Sequence, residues 1–409
     1  QMMTTAGSLA LEGFTASSDA FVVQCLRRAG ALLLGKANLS EWANFRSTRS
    51  TTGWSSRGGQ TRNPYSLDHS PGGSSSGSGV AASLGLCAGA VGTETDGSVV
   101  IPASMNSLVG IKPSLGRVSR NGIIPIGHSQ DTAGPMTICV RDAALMLQCM
   151  SGSDTADVTT TRAPRLPANL LSMNKLALRG ARIGLVDNYR GLGEGGVDSL
   201  VDDAVHALRQ CGAVVVEGVE LEGANEIGAL DTQVMLYEFK HDLNQYLALA
   251  GPRAPVRTLS DIISFNERHA EQVMPHFEQE YFYAAQEKGG LHEEEYLDAL
   301  ARVKHMTGPD GIDKALSRYR LDALVARTIG PAWKIDHVNG DNRSPCASTW
   351  AALSGYPSIS VPAGYVDELP VGLLFFAEAY SEKKLIDYGY AFEQATMARR
   401  APSLGQTPA

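Results

Sequence analysis

Hydrophobic and polar positions along this chain follow two rhythms, one of amphipathic helices and one of short buried strands. Over residues 19–28 the apolar side chains fall at Phe21, Val22, Cys25 and Leu26, the spacing of one helix face. Ser17, Ser18 or Asp19 can cap that helix, and Gly30 stops it. The apolar run Ala31–Leu34 predicts a buried strand, and Leu39–Phe45 a second helix. Between Thr48 and Tyr65 the pattern turns polar, with Gly53, Gly58, Gly59 and Pro64. This predicts a long surface loop carrying Trp54.

Further along, Ser76–Leu86 predicts a helix of small residues and Ala88–Gly92 an extended segment. Val99–Pro102, Leu108–Pro113 and Ile123–Pro125 are short extended pieces, and Arg141–Met150 has an amphipathic helix pattern. Ser151–Lys175 is rich in Pro, Thr and Asp without periodicity, and reads as a linker or excursion. Arg182–Val186, the helix Val201–Gln210 and Ala213–Val216 make a βαβ unit. The mostly helical and charged region Leu236–Tyr319 precedes strands at Leu321–Ala326, Pro357–Val361 and Gly372–Phe376. The last helix, Glu382–Arg399, ends in a basic turn that suits its C-terminus. These elements predict an α/β protein, a single domain over residues 1–409. Its sheet is expected to be mixed and mostly parallel, flanked by helices on both faces.

Composition narrows the function. Hydrophobic residues make up 43% and charged residues 19% of the 409, enough to build a sizeable core. The net charge of −8 argues against a nucleic-acid surface or a basic membrane patch. No apolar run approaches the ~18 residues of a membrane span, so a soluble protein of the cytoplasm or periplasm is expected. Cys25, Cys87, Cys139, Cys149, Cys211 and Cys346 are scattered without metal-ligand spacing and read as reduced thiols.

The chemistry concentrates in residues 71–98, PGGSSSGSGVAASLGLCAGAVGTETDGS. Every residue from Gly72 to Gly79 is Gly or Ser, and a second loop, Thr93–Ser98, follows a small-residue apolar segment. Glycines let backbone N–H groups approach a ligand, and serines supply nucleophiles or proton relays. Rival motifs fail on context. Gly30–Lys36 matches the start of a phosphate loop, but Ala37 stands where Ser or Thr must bind magnesium, and the intervening residues are strand-like. The Gly77–Ala82 match to a dinucleotide fingerprint has no strand before it. Ser75 fits the letters of a G-x-S-x-G elbow, again without a leading strand. His128 is the one histidine near these loops and reads as a loop or supporting residue, so a histidine-based triad has little support.

Two serine loops without a histidine base resemble the amidase signature family, whose members hydrolyse amides with a Ser–cis-Ser–Lys triad. In that family a Gly-Gly-Ser-Ser loop carries a bridging serine after a non-proline cis bond, and the nucleophile follows 24 residues later. Gly72-Gly73-Ser74-Ser75 and Thr93-Glu94-Thr95-Asp96-Gly97-Ser98 stand in that register, since 98 − 74 = 24. The resemblance implies Ser98 as nucleophile and Ser74 as cis-serine relay. It also implies backbone N–H groups of Thr95, Asp96, Gly97 and Ser98 as the oxyanion hole. The residues LSEWANF (39–45), GQTRNPY (59–65), SQDTAGPM (129–136) and LPVGLLF (369–375) extend it over 6–400. Glu94 and Asp96 replace a commoner Asp and Gly, a variant that resembles the branch acting on C-terminal peptide amides. On this reading the substrate is a small-molecule or peptide amide, no metal or cofactor is needed, and no nucleic acid or membrane is engaged. Asp96, Ser75 and Trp54 are the candidate substrate contacts.

One part of the pattern is missing. The family's triad lysine lies in a strand motif of the type G-I-P-L-L-L-K-D-N, which this sequence lacks; the register places it before Gln1. Lys36 matches a different, structural lysine of the family. An N-terminal portion carrying the base is therefore expected outside these residues, the alternative being an inactive homologue that acts as a binding or scaffold protein.

Overall fold

The computed structural model describes residues 2–192 and 195–403. Its centre is one eight-stranded sheet. The strands are β1 (Ala90–Glu94), β2 (Val109–Lys112), β3 (Thr132–Thr137), β4 (Arg182–Val186), β5 (Val214–Val219), β6 (Ala323–Arg327), β7 (Ser358–Val366) and β8 (Leu369–Phe376). Their spatial order is β1-β3-β2-β7-β8-β6-β4-β5. The βαβ unit stands as expected, with helix Val197–Gln210 between parallel β4 and β5. The sheet is mixed, but the expectation of mostly parallel pairing is corrected. Only β4–β5 and β4–β6 run parallel, and the other five neighbours are antiparallel. The reason lies in the connections. The turn at Asp367–Glu368, where both residues take positive φ, folds β7 straight back onto β8 as a hairpin.

Helices Val140–Met150, Val197–Gln210 and Glu382–Thr396 pack in one layer against the strands. Ser76–Ser83 and Val100–Met105 pack together elsewhere on the sheet, against β1, β2, β3, β7 and β8. The main core includes Phe375, Phe376, Phe392 and Trp350. A second core forms where helices Ala224–Ala250 and Glu280–Glu287 bring Phe239 and Phe282 against Trp42 and Phe45. All six cysteines are free.

Several local expectations change or narrow. Ala31–Leu34 is extended but joins no sheet, with Leu32 87% and Leu34 71% exposed beside a wide cleft. Leu39–Phe45 is one short turn in which Trp42, Ala43 and Asn44 have φ of 50°, 54° and 67°. Val99–Pro102 enters a helix, Val100–Met105, because the Glu94 carboxylate meets its first N–H groups. No strand is expected at Thr132–Thr137, yet β3 forms there, buried along its whole length. Gly134 is required there, since a Cβ would stand 2.0 Å from the Ile111 carbonyl oxygen. Ser151–Lys175 is an excursion rather than a linker, pinned by buried Asp154, Asp157, Thr160 and Leu170.

Candidate active site

The two serine loops meet at the end of β1. The Gly73–Ser74 peptide bond is cis. Ser74 is buried, and its carbonyl accepts the N–H groups of Ser40 at 3.0 Å and Ser76 at 2.8 Å. The next N–H, that of Ser75, donates to the Ser98 carbonyl at 3.3 Å, so the loop of the cis bond touches the turn of the second serine directly. Ser75 Oγ donates to the Thr93 carbonyl and accepts the Thr93 N–H, both at 3.1 Å. The Ser75 side chain thus clamps β1 to the first loop. Gly92 makes this approach possible, because a Cβ there would lie 2.8 Å from Ser75 Oγ.

The turn before Ser98 is held on several sides. Glu94 Oε2 accepts the N–H groups of Val99 at 2.7 Å and Val100 at 3.0 Å, closing the turn with its own first residue. Asp96 is half-buried, and its two oxygens accept the hydroxyls of Ser348 and Thr349, each at 2.8 Å. Burial pushes the Asp96 carboxyl up, against those two hydrogen bonds. Gly97 sits at φ +78°, and a Cβ would lie 2.4 Å from Ile101 Cδ1 and 2.8 Å from Ser348 Oγ. Only glycine fits. Thr95 Oγ1 donates to Asp131 Oδ1 at 2.6 Å.

Sequence reasoning missed the groups behind this turn. Lys112 is 1% exposed on β2 and donates to the Pro113 carbonyl at 3.1 Å. Burial lowers it to about 8, against the opposing pull of Glu94, Glu382 and Asp96. Lys304 donates to the Ser129 carbonyl at 2.7 Å and is likewise lowered by burial to about 8. Asp231, bonded by Gln130 at 2.9 Å, is raised to about 8 by burial and by the Asp96 charge. Ser348 and Thr349 lie some 250 residues from Asp96, so no local signal could have found them.

A pocket of about 240 Å³ is lined by Ser74, Thr95, Asp131, His128, Asp242 and Tyr246, among others. At Thr93 and Ile123–Ile126 it adjoins the wide cleft, about 940 Å³, bordered by Leu33 and Lys36. Trp54 lines neither; it is buried against His276, Phe277 and the Arg46 guanidinium, a packing role in place of the expected substrate contact. His128 shares this pocket with Ser74, but its ring pairs with Asp242 at 2.9 Å and lies 3.5 Å from Glu238. His128, Glu238 and Asp242 form the one grouping with metal-ligand proximity among the described residues. Their atoms are already engaged, Glu238 by the Ser129 N–H and Tyr296 hydroxyl, Asp242 by His128 and His241.

The turn before Ser98 leads from β1 into helix Val100–Met105, and the loop with the cis Gly73–Ser74 bond is joined to it by the Ser75–Ser98 hydrogen bond. The family model described as Amidase matches residues 1–386, and the chain belongs to that family. It is a hydrolase acting on amide C–N bonds. Native peptide amidase from Stenotrophomonas maltophilia shares 48% identity with a TM-score of 0.93, over 99% of this chain and 82% of that one. A structure of peptide amidase PAM with the competitive inhibitor chymostatin gives 49% identity and 0.94, over 98% and 82%. A probable amidase of Arabidopsis thaliana is 40% identical over 98% of this chain and 75% of its own length. No helix among the described residues is long and apolar enough to cross a membrane.

Proposed function

We propose that this chain deamidates the C-terminal carboxamide of peptides, releasing ammonia through an acyl-enzyme on Ser98. The observation that carries the reading is the hydrogen bond from Ser75 N–H to the Ser98 carbonyl, which sets the cis-Ser74 loop beside the nucleophile turn. Ser98 Oγ attacks the amide carbon and its proton passes to Ser74. The oxyanion faces the N–H groups of residues 95–98, and the amine leaves with a returned proton. Water then cleaves the ester. The similarity to peptide amidase supports a peptide amide as substrate.

The relay needs a basic amine beyond Ser74. Among the described residues no lysine nitrogen hydrogen-bonds either serine: Lys36 bonds Thr4, Lys112 bonds Pro113 and Lys304 bonds Ser129. None of these lysines is placed to take the proton from Ser74, so the base is left unassigned among the described residues. Without it, turnover is expected to be about 10²–10⁴-fold slower. The test is ammonia release from a C-terminally amidated dipeptide, together with labelling of Ser98 by a fluorophosphonate. Slow release and labelling, both abolished by Ser98→Ala, are expected. A folded chain that shows neither would overturn the reading.

A further inference from the structure

One tie on the nucleophile turn runs to a residue that the reaction does not otherwise use. Asp131 lies just before β3 and lines the 240 Å³ pocket. Its Oδ1 accepts the Thr95 hydroxyl at 2.6 Å. Its Oδ2 accepts the N–H groups of Ile126 at 2.8 Å and Gly127 at 3.0 Å. One carboxylate therefore joins three pieces of chain: the turn that ends in Ser98, the 126–127 wall of the pocket, and the start of β3. That wall is itself pressed against helix Ala224–Ala250, since a Cβ on Gly127 would lie 2.5 Å from Glu238 Oε2.

We propose that Asp131 is a positioning residue for acyl transfer at Ser98, fixing the Thr95 end of the oxyanion turn to the pocket wall through its ionised carboxylate. The inference rests on the assignment of Ser98 as nucleophile. A donated hydroxyl locks the Thr95 side chain, and with it the orientation of the peptide group that begins the turn. All three bonds are charge-assisted, so protonation weakens the whole node together. An amide in its place offers one oxygen for three donors and turns an N–H₂ toward an existing donor.

The charged groups facing Asp131 explain when it works. Burial raises it to about 6, with a smaller push from Asp242 on helix Ala224–Ala250, against the bonds from Thr95, Ile126 and Gly127. Arg120 faces it from the 120–128 loop but is held by Asp157 in a paired contact at 2.6 and 2.8 Å. His128 completes the pocket and is spent on Asp242. The tie is thus present above pH ~6 and weakens below it.

The experiment compares wild type, Asp131→Asn, Thr95→Val and Thr95→Ser in the full 409-residue chain. Backbone hydrogen exchange over residues 93–98 and 126–127 is followed from pH 5 to 8, corrected for the intrinsic pH dependence of exchange. Wild type and Thr95→Ser should gain protection as pH rises through about 6. Asp131→Asn and Thr95→Val should lack that gain. In ammonia release, Asp131→Asn should lose about tenfold or more in kcat with KM within about threefold, below the 10²–10³-fold loss of an oxyanion donor itself. Its acid limb should vanish, while His128→Gln keeps the limb. Wild-type exchange in Asp131→Asn, or in Thr95→Val if the first variant fails to fold, overturns the proposal. If no form releases ammonia or is labelled at Ser98 but the exchange pattern holds, the nucleophile assignment fails and the tie stands.

Discussion

Glu94 offers the sharpest test of how the turn before Ser98 is held. Its side chain is 1% exposed, and Oε2 carries two backbone hydrogen bonds, from Val99 and Val100. Bonds to a charged group contribute about 1.5–3 kcal/mol each, and no water can replace the acceptor at this depth. Glu94→Ala therefore costs about 3–6 kcal/mol, a large part of a typical 5–15 kcal/mol stability. Glu94→Gln is the discriminating variant. Oε1 has no hydrogen-bond partner, so the new N–H₂ can take that position and leave the other oxygen as acceptor. The two bonds then become neutral ones of about 1 kcal/mol each, a net loss of roughly 1–4 kcal/mol. A urea titration should show a lower midpoint with an unchanged slope, since the unfolded chain is the same. Whatever part of that loss appears in the transition state lowers ammonia release by about tenfold per 1.4 kcal/mol. Lys112, deprived of its principal carboxylate neighbour, should drop further below about 8. A Glu94→Gln chain with the wild-type urea midpoint and turnover would refute the idea that this carboxylate closes the turn.

The other predictions are briefer. Gly97→Ala should leave a folded chain whose turnover falls about 10²–10³-fold, because the new Cβ collides with Ile101 and tilts the oxyanion N–H groups; unchanged turnover would disconnect that turn from catalysis. Asp96→Gly should lower stability yet keep the preference for peptide amides over aryl amides, since both oxygens hold the helix Ser348–Ser354; a lost preference would make Asp96 a substrate contact. Arg46→Met should cost about 3–5 kcal/mol in urea denaturation, for it strands Glu41 in a pair whose side chains are both 0% exposed; a loss under ~1 kcal/mol would contradict this. Asp231, raised to about 8, favours the fold below its unfolded pKa near 4, and that contribution is lost as pH rises through about 8. Asp231→Asn should therefore flatten the decline of Tm between pH 4 and 8, and an identical decline would count against its burial as an acid.

What could be read from the sequence was what short stretches of chain decide for themselves. The βαβ unit around Val197–Gln210 and the helix Val140–Met150 declare themselves because each buries its own apolar stripe. The spacing of Ser74 and Ser98 was legible because both loops are built from glycines whose missing Cβ atoms the packing demands. The failures have a common cause in partners remote along the chain. Ala31–Leu34 has the composition of a buried strand, but burial also needs a neighbour on each side, and none of the described strands supplies one. Thr132–Thr137 was hidden by Gly134 and Pro135, residues that weaken a strand locally and are tolerated here because Gly134 must approach Ile111. Val99–Pro102 became helical through a side chain five residues upstream, at Glu94. The same distinction divides the site. The two proposed reacting serines lie within a single stretch of 25 residues, whereas the residues whose side chains hold the turn, Asp131, Ser348 and Thr349, come from two separate segments. A carboxylate such as Asp96 or Asp131 therefore takes its role from the donors that the fold delivers to it. Their hydrogen bonds, rather than the local motif, decide whether it reads the substrate or holds the turn.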